Sequence, residues 1–65
     1  MSDVEKYEEL LAEIENATTE LQLELVTYSA GGYKNKSAAA RIRKITLALA
    51  ELGKEFRKTS VAFHK

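Results

Sequence analysis

No cysteine occurs anywhere in the sequence. That excludes a disulfide framework and a thiolate metal site. The one histidine, His64, stands next to the last residue. A metal site needs several converging ligands, so His64 reads as a solvated residue and no metal or other cofactor is expected. Proline is absent too, and nothing therefore interrupts a helix. No segment approaches the length of a membrane span, and the acidic N-terminus lacks the apolar run of a signal peptide. The chain is expected to be cytoplasmic, of bacterial or viral origin, and the sequons at Asn16 and Asn35 carry no meaning there. At 65 residues it is one domain at most, and a small one. Such a chain buries little surface, and with neither disulfide nor metal available, association with a second copy is the remaining staple.

Net charge is zero, yet the two halves are opposite in sign. Residues 1–30 carry eight carboxylates against Lys6 alone, a net of −7. Residues 31–65 carry nine Lys and Arg against Glu51 and Glu55, a net of +7. The halves can be partners of each other, or each can seek a partner of opposite sign.

The apolar pattern has a heptad period. In the first half one column is Val4, Leu11, Thr18, Leu25 and the other is Tyr7, Ile14, Leu21, Tyr28. Four heptads argue for a long helix packed on another. Ser2 and Glu5 have the spacing of a capping box, and the early acids suit the helix dipole. Gly31-Gly32 offers the left-handed stop. In the second half Asn35 or Ser37 can cap, and a helix follows with a seam of Ile42, Leu49, Phe56, Phe63 and Ala38, Ile45, Leu52, Thr59. The expected fold is an all-α antiparallel two-helix hairpin: helix 3–29, turn 30–36, helix 37–63. Folding back sets Leu25 by Ile42, Leu11 by Phe56, Val4 by Phe63 and Glu24 near Arg41. Leu10, Leu23, Val26, Leu47 and Val61 fall outside this seam. Beside it on the second helix runs a column of small residues: Ala39, Thr46, Gly53, Ser60. Mid-helix Gly53 costs about 1 kcal/mol relative to Ala, and close approach of another helix is the usual compensation. The candidate self-association residues are therefore Leu10, Leu23, Val26, Thr46, Leu47, Gly53 and Ser60, in a homo-oligomer of dimer size or larger, such as a four-helix bundle.

No catalytic constellation is present. The serines have no histidine to activate them, and the first-helix acids lack the Glu-x-x-His pattern of a di-metal bundle. Gly31-Gly32 follows no strand and continues no glycine pattern, which rules out a nucleotide loop. The chain is expected to be no enzyme and to take no small-molecule substrate. The cations are the informative residues. Lys34, Lys36, Arg41, Arg43 and Lys44 crowd around the start of the second helix, where free amides favour an anion. Arg57 and Lys58 repeat the columns of Arg43 and Lys44. This set suits phosphate, although it also fits an ordinary solvated helix face drawn to the acidic first helix.

The stretch "NKSAAARIRKITLALAELGKEFRKTS", residues 35–60, resembles the N-terminal helical region of the bacterial linker-histone-like proteins of chlamydial type. The resemblance rests on Asn35-Lys36, Ala38 to Ala40, Arg41 and Arg43, and on Phe56-Arg57-Lys58 with Ser60. It covers the second half of the chain, the first half agreeing in being a heptad helix. The family implies small architectural proteins that bind and compact DNA and carry a helical self-association region. Chlamydial members add a Lys/Ala-rich basic tail, and the resemblance is to the region without it. The expected function is thus a histone-like, nucleoid-associated DNA-binding protein that contacts phosphates with little sequence preference. The alternative is a helical oligomerisation or protein-interaction module that binds no DNA.

Overall fold

The computed structural model describes residues 3–64. It contains two helices, α1 (Asp3–Ala30) and α2 (Lys36–Phe63), of 28 residues each. They pack against each other as an antiparallel hairpin, the all-α architecture expected from the heptads. A 28-residue helix is about 42 Å long, and the hairpin measures 46 × 16 × 15 Å. Ser2 and Lys65 lie outside the described residues, and with Ser2 goes the capping box proposed for it.

The turn is built by local chemistry. Gly32 donates to the Ser29 carbonyl at 3.0 Å and Tyr33 donates to the Tyr28 carbonyl at 3.0 Å. These are the two bonds of a Schellman motif, with Gly32 at its left-handed position, φ 65°. The accompanying contact is aromatic: the Tyr28 and Tyr33 rings meet edge to face at 5.5 Å. Tyr33 is itself at φ 64°. A side chain there costs about 1–2 kcal/mol, which the ring contact and the second bond offset. Of the two candidate caps, Asn35 is the one in place. Its side chain accepts from the Ala38 amide at 3.0 Å. The second helix therefore begins at Lys36 and the turn is shorter than the 30–36 expected.

At the turn end, Arg41 Nε donates to Glu24 Oε2 at 2.7 Å, the cross-helix pair expected from the folded-back seam. At the open end, Tyr7 stacks on Phe56 at 5.9 Å and on Phe63 at 4.9 Å. The α2 seam falls as expected from Ala38 through Thr59. The α1 seam does not. Its less exposed positions are Tyr7, Leu10, Ile14, Ala17, Leu21, Glu24 and Tyr28. Leu10, expected outside the seam, is part of it. Val4, Leu11, Thr18 and Leu25, expected inside, are exposed, with Leu11 42% and Val4 50% open. Tyr7 meets both Phe56 and Phe63. The column of Leu10, Ala17 and Glu24 is less apolar than the one it replaces. It wins because the turn fixes the rotation of α1, because Glu24 finds Arg41, and because Ala17 takes little room. Thr18, which interrupts the displaced column, satisfies its hydroxyl on the Glu15 carbonyl of its own helix.

Among the described residues Ala38 alone is fully buried. The solvent-accessible surface is 5207 Å². A compact monomer of 7.3 kDa would show about 4,200 Å². The radius of gyration, 14.7 Å, likewise exceeds the roughly 11 Å of a compact chain this long. A single seam between two helices leaves the excess, about 1,000 Å² by the same scaling.

Substitutions at the turn separate its parts. Gly32→Ala should lower stability by about 1 kcal/mol because its φ is left-handed. Gly31→Ala should be neutral or slightly stabilising, since an added Cβ would meet neighbours at an ordinary 3.6–3.8 Å. Asn35→Ala should cost about 1 kcal/mol through the lost cap. Thermal melts at one fixed protein concentration check the order, each kcal/mol moving Tm by about 4–8 °C in a domain this small.

Candidate nucleic-acid interface

The seven cations singled out in the sequence, Lys34, Lys36, Arg41, Arg43, Lys44, Arg57 and Lys58, are all exposed. They do not form one cluster. Lys34 lies in the turn and Lys36 is the first residue of α2, with the capping Asn35 between them. The amide end of α2 is partly used: Asn35 accepts from Ala38 with its side chain at 3.0 Å and from Ala39 with its carbonyl at 3.1 Å. The Lys36 and Ser37 amides are left for an anion.

Arg41 points a different way from the rest. Its guanidinium faces α1, bonded to Glu24, along a groove that Glu20 and Lys44 also line. The pair is half open to water and contributes at most about 1 kcal/mol. It does fix Arg41 beside two carboxylates, the poorest place in the set for a phosphate.

Arg43, Lys44, Arg57 and Lys58 belong to the outer columns of α2, with Lys44 and Lys58 also reaching the rims of the grooves along the seam. Helical spacing makes three columns contiguous there: Arg43, Ala50, Arg57; Ala40, Leu47, Lys54, Val61; and Lys44, Glu51, Lys58. All are exposed. The stripe from Arg43 to Arg57 is about 21 Å long at 1.5 Å per residue. The middle column supplies a cation that the sequence reading passed over, Lys54. Its signal was available, because Lys54 precedes Arg57 and Lys58 by three and four residues and so shares their face. The Arg57 guanidinium folds back along α2, so that a Cβ on Gly53 would meet its Nη1 at 3.7 Å.

Of the α1 acids, Glu5, Glu8, Glu9 and Glu15 are exposed on the side away from α2, whereas Glu13 and Glu20 line the grooves along the seam. The hairpin is thus a ribbon with one anionic and one cationic edge across a width of 15–16 Å. Screening at physiological salt acts over about 8 Å. A polyanion lying along α2 feels the near cations strongly and the far carboxylates weakly, which is how a chain of zero net charge can present a basic surface.

The candidate self-association residues also separate. Leu10 belongs to the intramolecular seam. Leu23 lines the groove shared with Arg41 and Ile45, while Val26 and Leu47 sit on the backs of the two helices, Leu47 being 70% exposed. Thr46, Gly53 and Ser60 follow one another along one broad face of the ribbon, Thr46 exposed and the other two half-buried. No cluster of three potential metal-binding side chains occurs among the described residues, and no described helix is long and apolar enough to cross a membrane.

Residues 2–65 match the family model described as Histone H1-like protein Hc1. No curated protein and no solved structure matches the chain. The family match includes α1, for which the motifs had given only a heptad helix. Matched over nearly its whole length, the chain belongs to the histone H1-like protein Hc1 family, a family of structural DNA-binding proteins of the nucleoid and not of enzymes.

Proposed function

We propose that this chain binds duplex DNA by its phosphates along the outer face of α2, with little sequence preference, and self-associates so that it bridges or compacts DNA in the cytoplasm. The observation that carries the reading is the charge segregation: Arg43, Lys44, Lys54, Arg57 and Lys58 are exposed on the outer columns of α2, while Glu5, Glu8, Glu9 and Glu15 are exposed on the outer side of α1. Lysine and arginine on a helix exterior release counterions from DNA without regard to sequence. The same face carries no Asn or Gln, the residues that read adenine edges. Lys34 and Lys36 extend the cationic surface round the turn.

The interface then consists chiefly of Arg43, Lys44, Lys54, Arg57 and Lys58. Five neutralised phosphates give a log–log salt slope near −4.5. Replacing Lys44, Lys54 and Lys58 together by Gln should leave a slope of about −1.8 and abolish a gel shift at moderate salt. Helical circular dichroism should survive, because all three side chains are exposed. If the parent has no affinity at low salt, or the triple variant binds as well as the parent, the chain is an oligomerisation module and the cations are a solvated face.

Arg41 gives a second, independent check. Because it is committed to Glu24, Arg41→Gln should reduce DNA affinity less than Lys54→Gln does under the same conditions. Paired titrations of the two variants decide it. A larger loss at Arg41 would move the interface to the groove side of the hairpin.

A further inference from the structure

The self-association proposed above leaves open which surface a second copy covers and where it puts the DNA-binding edges. The two broad faces of the ribbon differ. One carries the shallow grooves along the seam, whose charged lining is Glu20, Glu24, Arg41 and Lys44 at one end and Asp3, Lys6, Glu13, Glu55 and Lys58 at the other, a mixture of signs. The other carries, by helical spacing, the exposed column Val4, Leu11, Thr18, Leu25 on α1 beside the small column Ala39, Thr46, Gly53, Ser60 on α2. It bears no charge in either column. Nothing of α1 covers the small column at Gly53: a Cβ built there would meet only the movable end of Arg57.

We infer that this uncharged face docks against the same face of a second copy, about a two-fold axis parallel to the helices. Such an axis keeps every residue at its own height and sets α1 of one copy over α2 of the other. The register of the hairpin is given by Glu24 beside Arg41 and by Tyr7 between Phe56 and Phe63. On that register the second copy's Leu25 comes over Ala39, its Thr18 over Thr46, its Leu11 over Gly53 and its Val4 over Ser60. Both columns have a spacing of seven and run in opposite directions, so the match repeats without slipping. Large side chains meet small ones at each of the three apolar steps, and the largest gap, Gly53, receives a leucine. The other stacking two-fold, perpendicular to the helices, puts α1 on α1 and α2 on α2. It would set −7 on −7 and +7 on +7, large columns on large and small on small. Charge and shape reject the same alternative. The size is adequate as well: the surplus of about 1,000 Å² over a compact chain compares with the roughly 800 Å² each partner buries in a standard interface. The symmetry is the commonest closed one.

The consequence for the proposed function is geometric. In this bundle the two α2 helices lie at diagonal corners, so their cationic outer faces point in opposite directions. The dimer joins two separate duplexes and cannot close both edges on one. Single-cysteine variants of this cysteine-free chain test the arrangement. Leu11→Cys and Gly53→Cys, mixed and mildly oxidised, should give the mixed 11–53 disulfide as the main dimer product, with little 53–53 product. Gly53→Leu should keep the helical circular dichroism and the single-duplex gel shift, lose the dimer in sedimentation, and lose the ability to retain a labelled duplex on an immobilised one. A parent that sediments as a monomer at micromolar concentration removes self-association altogether. A dimer that cross-links mainly 53 to 53, or that survives Gly53→Leu unchanged, overturns this face and this axis while self-association itself stands.

Discussion

Two helices laid side by side have no third layer, and the rest of this structure follows from that constraint. Each helix can bury one strip, which here leaves Ala38 as the fully buried residue among those described and leucines and valines open to water on other sides. Polarity cannot then be divided between an inside and an outside. It is divided between the helices, with carboxylates on α1 and ammonium and guanidinium groups on α2. A thin core also raises the importance of the ends. The turn is held by a Schellman motif, an edge-to-face tyrosine pair and the Asn35 cap, and the open end by Tyr7 stacked on two phenylalanines.

The turn does more than reverse the chain. With five residues between the helices and two of them left-handed, it leaves little freedom in the rotation of α1 about its own axis. That rotation decides which neighbour of the Tyr7–Tyr28 column packs inward. Choosing Leu10, Ala17 and Glu24 puts Leu11 and Leu25 on a broad face, 42% and 47% exposed. A conformational preference at Gly32 and Tyr33 is thus transmitted along the whole length of α1 and determines what kind of surface the hairpin offers to a partner. The strain accepted at Tyr33 is local, whereas its effect on the exposed columns extends over the length of the hairpin.

Most of this was legible in the sequence, for reasons that are local. Heptad spacing identified both helices, Gly31-Gly32 the stop and Asn35 a possible cap, because each signal concerns residues within a turn or two of one another. The Glu24–Arg41 pair followed from folding two known seams together. The choice between two α1 columns did not follow. They flank the Tyr7–Tyr28 column, each about 50° from it and so about 100° from each other by heptad geometry, and the displaced one, with Val4, Leu11 and Leu25, is the more apolar. Hydropathy ranks columns by transfer energy and knows nothing of the angle at which a turn delivers the chain. The same limit put Leu10 outside the seam and left Tyr7 out of the partners of Phe56 and Phe63. Lys54 was missed for a different reason: attention to the repeated Arg-Lys steps at 43–44 and 57–58 passed over the column between them, although that column completes the face. The aromatic end cluster around Tyr7 could have been anticipated only in part, since its members depend on the same rotation.

The opposite charges of the two helices have a further meaning once the outer face of α2 is taken as the phosphate-binding edge. If the cations were balanced by carboxylates on the same helix face, their fields would cancel at the distance of a bound phosphate. Within that stripe Glu51 is the one carboxylate; Glu5, Glu8, Glu9 and Glu15, on the outer side of α1 across a ribbon 15–16 Å wide, are about two screening lengths away and subtract little from a contact already made. They still act on approach from other directions, turning the acidic edge away from DNA and so orienting the hairpin. The acids of α1 also hold Arg41 inward through Glu24 and favour the stacking of acidic on basic helices over like on like. An excess of cations would bind one duplex more tightly but would oppose association of the chain with its own copies. Zero net charge with the signs separated reconciles the two demands, because strong local attraction to phosphate and weak repulsion between copies are then properties of the same two helices.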